Sequence, residues 1–238
     1  MPMLTIALGL LTSPLLAQES CLPCHKSLRQ TAALEHTVAD WENSAHGKAA
    51  TSCSACHGGQ PAAAQKGRAH GSMLPASDPK SPLYFTNIPQ TCGKCHGAEL
   101  EAFKSSLHFK ELARSGRGPN CVTCHGSMAN RIISARDMEQ TCRLCHRRPT
   151  QAYAARLAVD EARAALRRLE AEIAAVKAGG KEDAATAGKV HSALTKRARA
   201  LLVQWHSFDA ADVFLLARGI AGEASSAYVE LRGEGVKP

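Results

Sequence analysis

All ten cysteines of the chain fall in five C-x-x-C-H units, and none is left over. The units are Cys21/Cys24/His25, Cys53/Cys56/His57, Cys92/Cys95/His96, Cys121/Cys124/His125 and Cys142/Cys145/His146. Two thiols at this spacing can add to the two vinyl groups of one porphyrin. The histidine that follows is then carried beneath the iron. The spacing predicts five covalently bound haem c groups, with His25, His57, His96, His125 and His146 as proximal metal ligands. Zinc would need C-x-x-C units in pairs, four ligands to a site. Five units do not pair evenly, and zinc gives no reason for a histidine after every second cysteine. A thioredoxin-like dithiol occurs once, at a strand-to-helix turn, not five times.

Six of the eleven histidines stand outside these units: His36, His46, His70, His108, His191 and His206. Two of them sit in a repeated phrase. "WENSAHG" puts Trp41, Ser44 and His46 at the same spacing as Phe103, Ser106 and His108 in "FKSSLHF". An imidazole on the far side of a haem iron makes it six-coordinate and low-spin. Such an iron moves little between its oxidation states and passes electrons without binding small ligands. Two imidazoles also give a lower potential than a His/Met pair.

These phrases, with "HGSMLPASDPKSPLYFTNIPQTCGKCHG" from His70 to Gly97, resemble the multihaem c-type cytochromes of bacterial respiration and nitrogen metabolism. That superfamily includes tetrahaem and pentahaem electron-transfer cytochromes and quinol-linked relatives. The resemblance covers residues 20 to 148. It implies that His46, His70 and His108 are distal ligands, each usually serving a haem whose attachment unit lies elsewhere in the chain. His36, in the helix-like run "TAALEHTVADW", is either a further ligand or a surface histidine. After His125 the phrase "GSMANRIISARDMEQTC" holds no counterpart of His70. Met138 stands at the matching interval. It and Met128 are thioether candidates for that iron, or packing residues. His206, beside Trp205 and Phe208, is a further candidate, as is His191.

The surrounding elements divide the chain in three. Residues 1–17, with an apolar run from Leu4 to Leu16 ending at Ala17, read as a signal peptide too short and too broken by Pro14 to span a bilayer. An exported, periplasmic location follows. Residues 18–149 read as the pentahaem domain. Its Gly-, Pro-, Ser- and Lys-rich composition could not bury enough apolar area by itself, so the porphyrins would form its core. Residues 150–238 change to Ala, Leu, Arg and Glu. Apolar positions Ala158, Ala162, Ala165, Leu169, Ile173 and Val176 recur at helical spacing. Gly179 and Gly180 stop this helix. A second runs from about Thr186, and a third starts at Ser207 or Asp209. The expected fold is mainly α with much irregular coil: a haem-cored domain followed by a C-terminal helical hairpin and its continuation.

The net charge of +8 would ordinarily suggest nucleic acid or an anionic surface. Five haems bring about ten propionates as partners for Lys and Arg, and no nucleic-acid-binding motif is present. The expected role is electron transfer between redox proteins. The resemblance implies a quinol dehydrogenase or other donor and a terminal reductase as acceptor, with peripheral membrane association compatible with that role. The alternative is an oxidoreductase acting on a small nitrogen or sulfur compound at one open haem. Related reductases often mark that haem with Lys in place of the motif histidine, and all five units here end in His.

Overall fold

The computed structural model describes residues 21–26, 37–131, 133, 135–179 and 183–233. The signal-peptide reading and His36 lie outside these residues. The chain is mainly helical, with no strand among the described residues. No described helix is long and apolar enough to cross a membrane.

Ten short helices occupy the first part of the described chain. They are α1 (Cys21–His25), α2 (Val38–Asn43), α3 (Ala45–Lys48), α4 (Cys53–His57), α5 (Lys66–His70), α6 (Ile88–Gly93), α7 (Gly97–Ser105), α8 (Leu107–Ser115), α9 (Cys121–His125) and α10 (Ala135–Arg143). None exceeds nine residues, below the length at which a helix holds itself in water. Among the described residues of this part, Phe103 and Leu112 are the buried large hydrophobic side chains, joined by a fully buried Pro89. That is too little apolar area to order so much chain.

The remainder is different. Helices α11 (Thr150–Ala178), α12 (Asp183–Gln204) and α13 (Ala210–Arg232) pack on one another. The contact between α11 and α13 is the most extensive in the molecule. Ala155, Ala158, Ala162 and Ala165 on α11 meet a face of α13 carrying Val213, Ala217, Ile220 and Ala224. Small residues on both faces let the axes approach, and Leu169 and Leu194 fill the rest, each almost wholly buried. Arg218 Nη1 reaches Glu161 Oε2 at 2.6 Å and Arg197 Nη1 reaches Glu223 Oε2 at 2.7 Å, tying α13 to both other helices. These exposed pairs set register more than they add stability.

The stop and start signals act where expected. Gly179 caps α11. Asp209 caps α13, accepting from the Asp212 N–H at 3.2 Å. Between α12 and α13 the chain makes a single 3₁₀ turn, Trp205–Ser207, and Phe208 then takes a left-handed conformation with φ of 58°. That break is the end of the bundle that faces the short helices. The turn packs on α7, and α12 also touches α7.

Candidate functional site

Each described C-x-x-C-H unit forms the start or end of a short helix. α1, α4 and α9 each run from the first cysteine to the histidine. Cys92 sits in the last turn of α6, and Cys142 in that of α10. In α9 the buried Asn120 is the cap. Its side chain accepts from Thr123 N–H at 3.2 Å while Thr123 accepts from Asn120 N–H at 3.1 Å. Asn120 Nδ2 also donates to Phe85 O at 2.9 Å, fastening the fourth unit to the "SPLYFTN" segment.

Units two to five adjoin one another in chain order. The Cys92 thiol donates to Cys121, which raises the pKa of Cys92 and lowers that of Cys121. Burial pushes the Cys124 thiol up to about 11, helped by the neighbouring Cys142 and Cys145. Burial also raises Cys56, with Cys92 beside it. Units two to five therefore form a continuous run.

The ten cysteines are not placed alike. Cys24, Cys95 and Cys145 are exposed, whereas Cys21, Cys53, Cys56, Cys92, Cys121, Cys124 and Cys142 are half-buried. Each exposed residue is the second cysteine of its unit, and position explains the difference. Cys95 and Cys145 lie beyond the last residues of α6 and α10, on the turns that follow. Cys24 lies in α1, a five-residue helix with no buried residue. Cys56 and Cys124 are instead covered, because the next unit in the run stands against each. The polypeptide alone thus leaves Cys24, Cys95 and Cys145 exposed.

The repeated phrase has a local physical cause. Ser44 ends α2 and begins α3; Ser106 ends α7 and begins α8. Both are buried and extended, with ψ of 168° and 155°. Each sends its N–H back to the aromatic residue's carbonyl, Trp41 O or Phe103 O, at 2.9 Å. Each hydroxyl then accepts the N–H three residues on, from Gly47 or Phe109, at 3.0 Å. The serine is a corner between two helices, capping the second. The histidine two places later is thereby thrown out in a fixed direction. Gly47 is required at this corner because a Cβ there would overlap Trp41 O.

The outcome is a set of histidine pairs. His70 lies with His25 at 6.0 Å between ring centroids, His46 with His96 at 6.0 Å, and His108 with His146 at 5.9 Å. His206 lies with His125 at 6.1 Å, their planes 22° apart. Every pair joins one C-x-x-C-H histidine to one histidine from outside the units. The second repeat lacks a counterpart of His70, and the histidine facing His125 comes from the break between α12 and α13. His191 stands on α12, about three and a half turns before the break. Met138 falls on α10, but its side chain is outside the described residues. His57 is described, whereas His36 is not.

No family model matches this chain, and no curated protein or solved structure matches it.

The spacing can be tested against a metal between the rings. A metal–imidazole bond is roughly 2.0 Å, and the ring centre lies about 1.1 Å behind the bonded nitrogen, so two opposed imidazoles on one ion sit roughly 6.2 Å apart. All four pairs fit. In most of the outer histidines Nδ1 is already engaged, which leaves Nε2 to face the gap. His46 Nδ1 donates to Asn130 Oδ1 at 2.8 Å, and Asn130 Nδ2 donates to Gly126 O at 2.7 Å, fixing the amide. His70 Nδ1 donates to Lys66 O at 2.8 Å. His206 Nδ1 is shared between Leu202 O and Val203 O, each at 3.1 Å. His125 Nδ1 donates to Arg131 O at 3.1 Å. Such bonds hold a ligand ring at its tautomer and angle. Among the described residues no three of His, Cys, Asp or Glu converge as a tetrahedral zinc site needs.

His108 is held differently. Its Nδ1 is buried and no described residue bonds it. Phe208 instead packs edge-on at 4.5 Å between centroids, with Phe103 behind at 6.3 Å from Phe208. Burial lowers the basicity of His108, as does the neighbouring His146. Burial likewise lowers that of His206. Phe208 was not singled out as a site residue from the sequence. Its signal was only its place two residues after His206.

Proposed function

We propose that the chain is an exported pentahaem c-type cytochrome that carries electrons between respiratory redox proteins. The observation carrying this reading is the set of four cross-chain histidine pairs at 5.9–6.1 Å. Each joins a motif histidine to one outside, at the spacing two axial ligands of one ion require. When bound, each haem supplies a one-electron ferric/ferrous couple. The chain's residues do the rest. Ten thiols hold the five porphyrins, and the motif histidines bind from one side. The exposed Cys24, Cys95 and Cys145 fit this role, because a thiol must be reachable to add to a vinyl group. His46, His70, His108 and His206 close the other side and keep small ligands out. The scarcity of buried apolar side chains before Thr150 supports a core made by the prosthetic groups. The adjoining thiols of units two to five support a continuous path for electrons. The donor would be a quinol dehydrogenase or similar protein, and the acceptor a terminal reductase.

The competing reading is an oxidoreductase that turns over a small nitrogen or sulfur compound at an open iron. The closed pairs disfavour it at four of the five positions. Intact mass of the exported protein tests the carrier reading first: it should exceed the mature polypeptide by five haems. Electron paramagnetic resonance of the oxidised protein tests it second, with all ferric irons expected low-spin. Free thiols, disulfides or bound zinc would overturn the haem reading. A high-spin signal with turnover of nitrite, hydroxylamine or a sulfur oxyanion would overturn the carrier assignment.

A further inference from the structure

We infer that, of the four irons whose axial histidines are both described, the one between His108 and His146 has the highest reduction potential, because His108 presents a buried Nδ1–H that nothing described accepts. The inference rests on the proposed haem ligation and goes beyond it to the direction of electron flow.

The four sites differ in how their imidazoles are supported. The His25/His70 pair has one Nδ1–H donated to a carbonyl, through Lys66 O. The His46/His96 pair has one donated to the Asn130 amide. The His125/His206 pair has both donated to backbone carbonyls. The His108/His146 pair has no such bond from His108. An Nδ1–H that donates to a carbonyl makes its imidazole a stronger base and a better donor to the metal. A better donor stabilises the ferric state, which carries the extra positive charge, and so lowers the potential. His108 lacks that push. Its aromatic neighbour Phe208 can offer at most a weak contact with the ring face.

Two further features act in the same direction. Phe208 packs edge-on against the His108 ring with Phe103 behind it, and His108 Nδ1 is buried; a dry surround disfavours the more charged state. Arg147 and Arg148 follow His146 directly, and Arg143 lies inside its attachment unit. Cations beside an iron favour its reduced form. This site also stands at the end of the run of adjoining units, next to the doubly bonded His125/His206 site. An electron arriving there from the fourth unit would come to rest on the fifth.

The test uses the full-length holoprotein. A potentiometric titration followed by visible and magnetic resonance spectra resolves the low-spin steps. The His108→Ala variant then identifies the step that belongs to the fifth unit, because that step is missing. If the variant loses the haem altogether, the same step is missing and the assignment stands. The missing step should be the highest of the set, with at most one other above it, that of the His57 iron. Two or more remaining steps above it would overturn the inference. A second variant checks the cause. Phe208→Asn keeps a residue that tolerates the left-handed backbone and opens Nδ1 to an amide oxygen or water. The assigned step should fall as ferric binding strengthens roughly tenfold relative to ferrous, which is about 59 mV for one electron. A step that does not move refutes the cause. Failure of covalent haem attachment would appear as mass and would refute the proposed function instead.

Discussion

On the proposed ligation, replacing His206 with alanine should open one iron and leave the other four unchanged. The structure gives the size of the effect. His206 is the described histidine facing His125, at 6.1 Å between centroids, and each of the other three described pairs draws its outer ligand from within residues 46–108. One iron in five should therefore become high-spin, and the reduced variant should bind one carbon monoxide per chain. The wild type should bind none. The bundle core from Ala155 to Leu231 does not include His206, so α11, α12 and α13 should stay folded, and the far-ultraviolet dichroism should not change. Free imidazole should restore the low-spin spectrum, because the gap is the size of one ring. His191→Ala is the control and should bind no carbon monoxide. Carbon monoxide titration by difference spectrum, normalised to total haem, gives the count. The reasoning fails if His206→Ala binds none, or if it binds two or more.

Other expectations follow from single contacts. Gly118→Ala would drive a Cβ into His108 O and the Leu112 backbone; shifting α8 should cost about 1–3 kcal/mol and broaden or lose one low-spin signal, seen by magnetic resonance. Asn130→Leu removes the acceptor from His46 Nδ1, so one titration step should rise while the His108 step stays fixed. Leu169→Ala, at a fully buried site, should cost about 3 kcal/mol and lower the melting temperature of the bundle by roughly 10 °C, with carbon monoxide binding appearing as the bundle melts. Arg197 holds the Glu223 carboxyl below its ordinary value by hydrogen bonding. Its contribution is present above the ordinary carboxylate range and lost as pH falls through the lowered value. The pair is exposed, so the loss should be a few tenths of a kcal/mol, absent in Glu223→Gln when melts are compared across acid pH.

The helices of the C-terminal part were legible because alanine and leucine at a 3.6-residue period leave few alternatives. Ala158, Ala162, Ala165, Leu169 and Val176 are all buried, and Ile173 packs against them. Asp209 was one of two starts considered for the third helix and is its cap. The second helix takes in Asp183 to Ala185 rather than starting near Thr186, because Ala184 is buried in the bundle core. The ten short helices before Thr150 left little periodic signal, since each is shorter than two or three turns. What the sequence showed there was chemistry: cysteines, histidines and the aromatic–serine–histidine corner. Exposure was not legible, since Cys95 and Cys124 hold the same place in their motifs, yet Cys95 lies on the turn after α6 while Cys124 lies within α9 with the fifth unit against it. Pairing was not legible either. Nothing in "WENSAHG" states that His46 meets His96 rather than His57, because that choice is made by Asn130 and the turn after the fourth unit. Nor did the sequence choose between His191 and His206. That choice follows from where the α12–α13 break meets α7.

The order of the pairs along the chain has a consequence for assembly. His25–His70 and His46–His96 interlace, the second starting inside the span of the first and ending beyond it. His108–His146 and His125–His206 interlace in the same way. Among the described pairs none crosses from the first set to the second, and α7 lies between them in the chain. On the proposed ligation the chain thus closes as two interlocked clasps. Within each, making one link shortens the loop that the other must close and lowers its entropic cost. The first clasp can be complete once residue 96 is available. The second waits for residue 206, so the iron at His125 is the last of the four to be sealed. An incompletely made or clipped chain would announce itself there, as one reactive iron on an otherwise inert molecule.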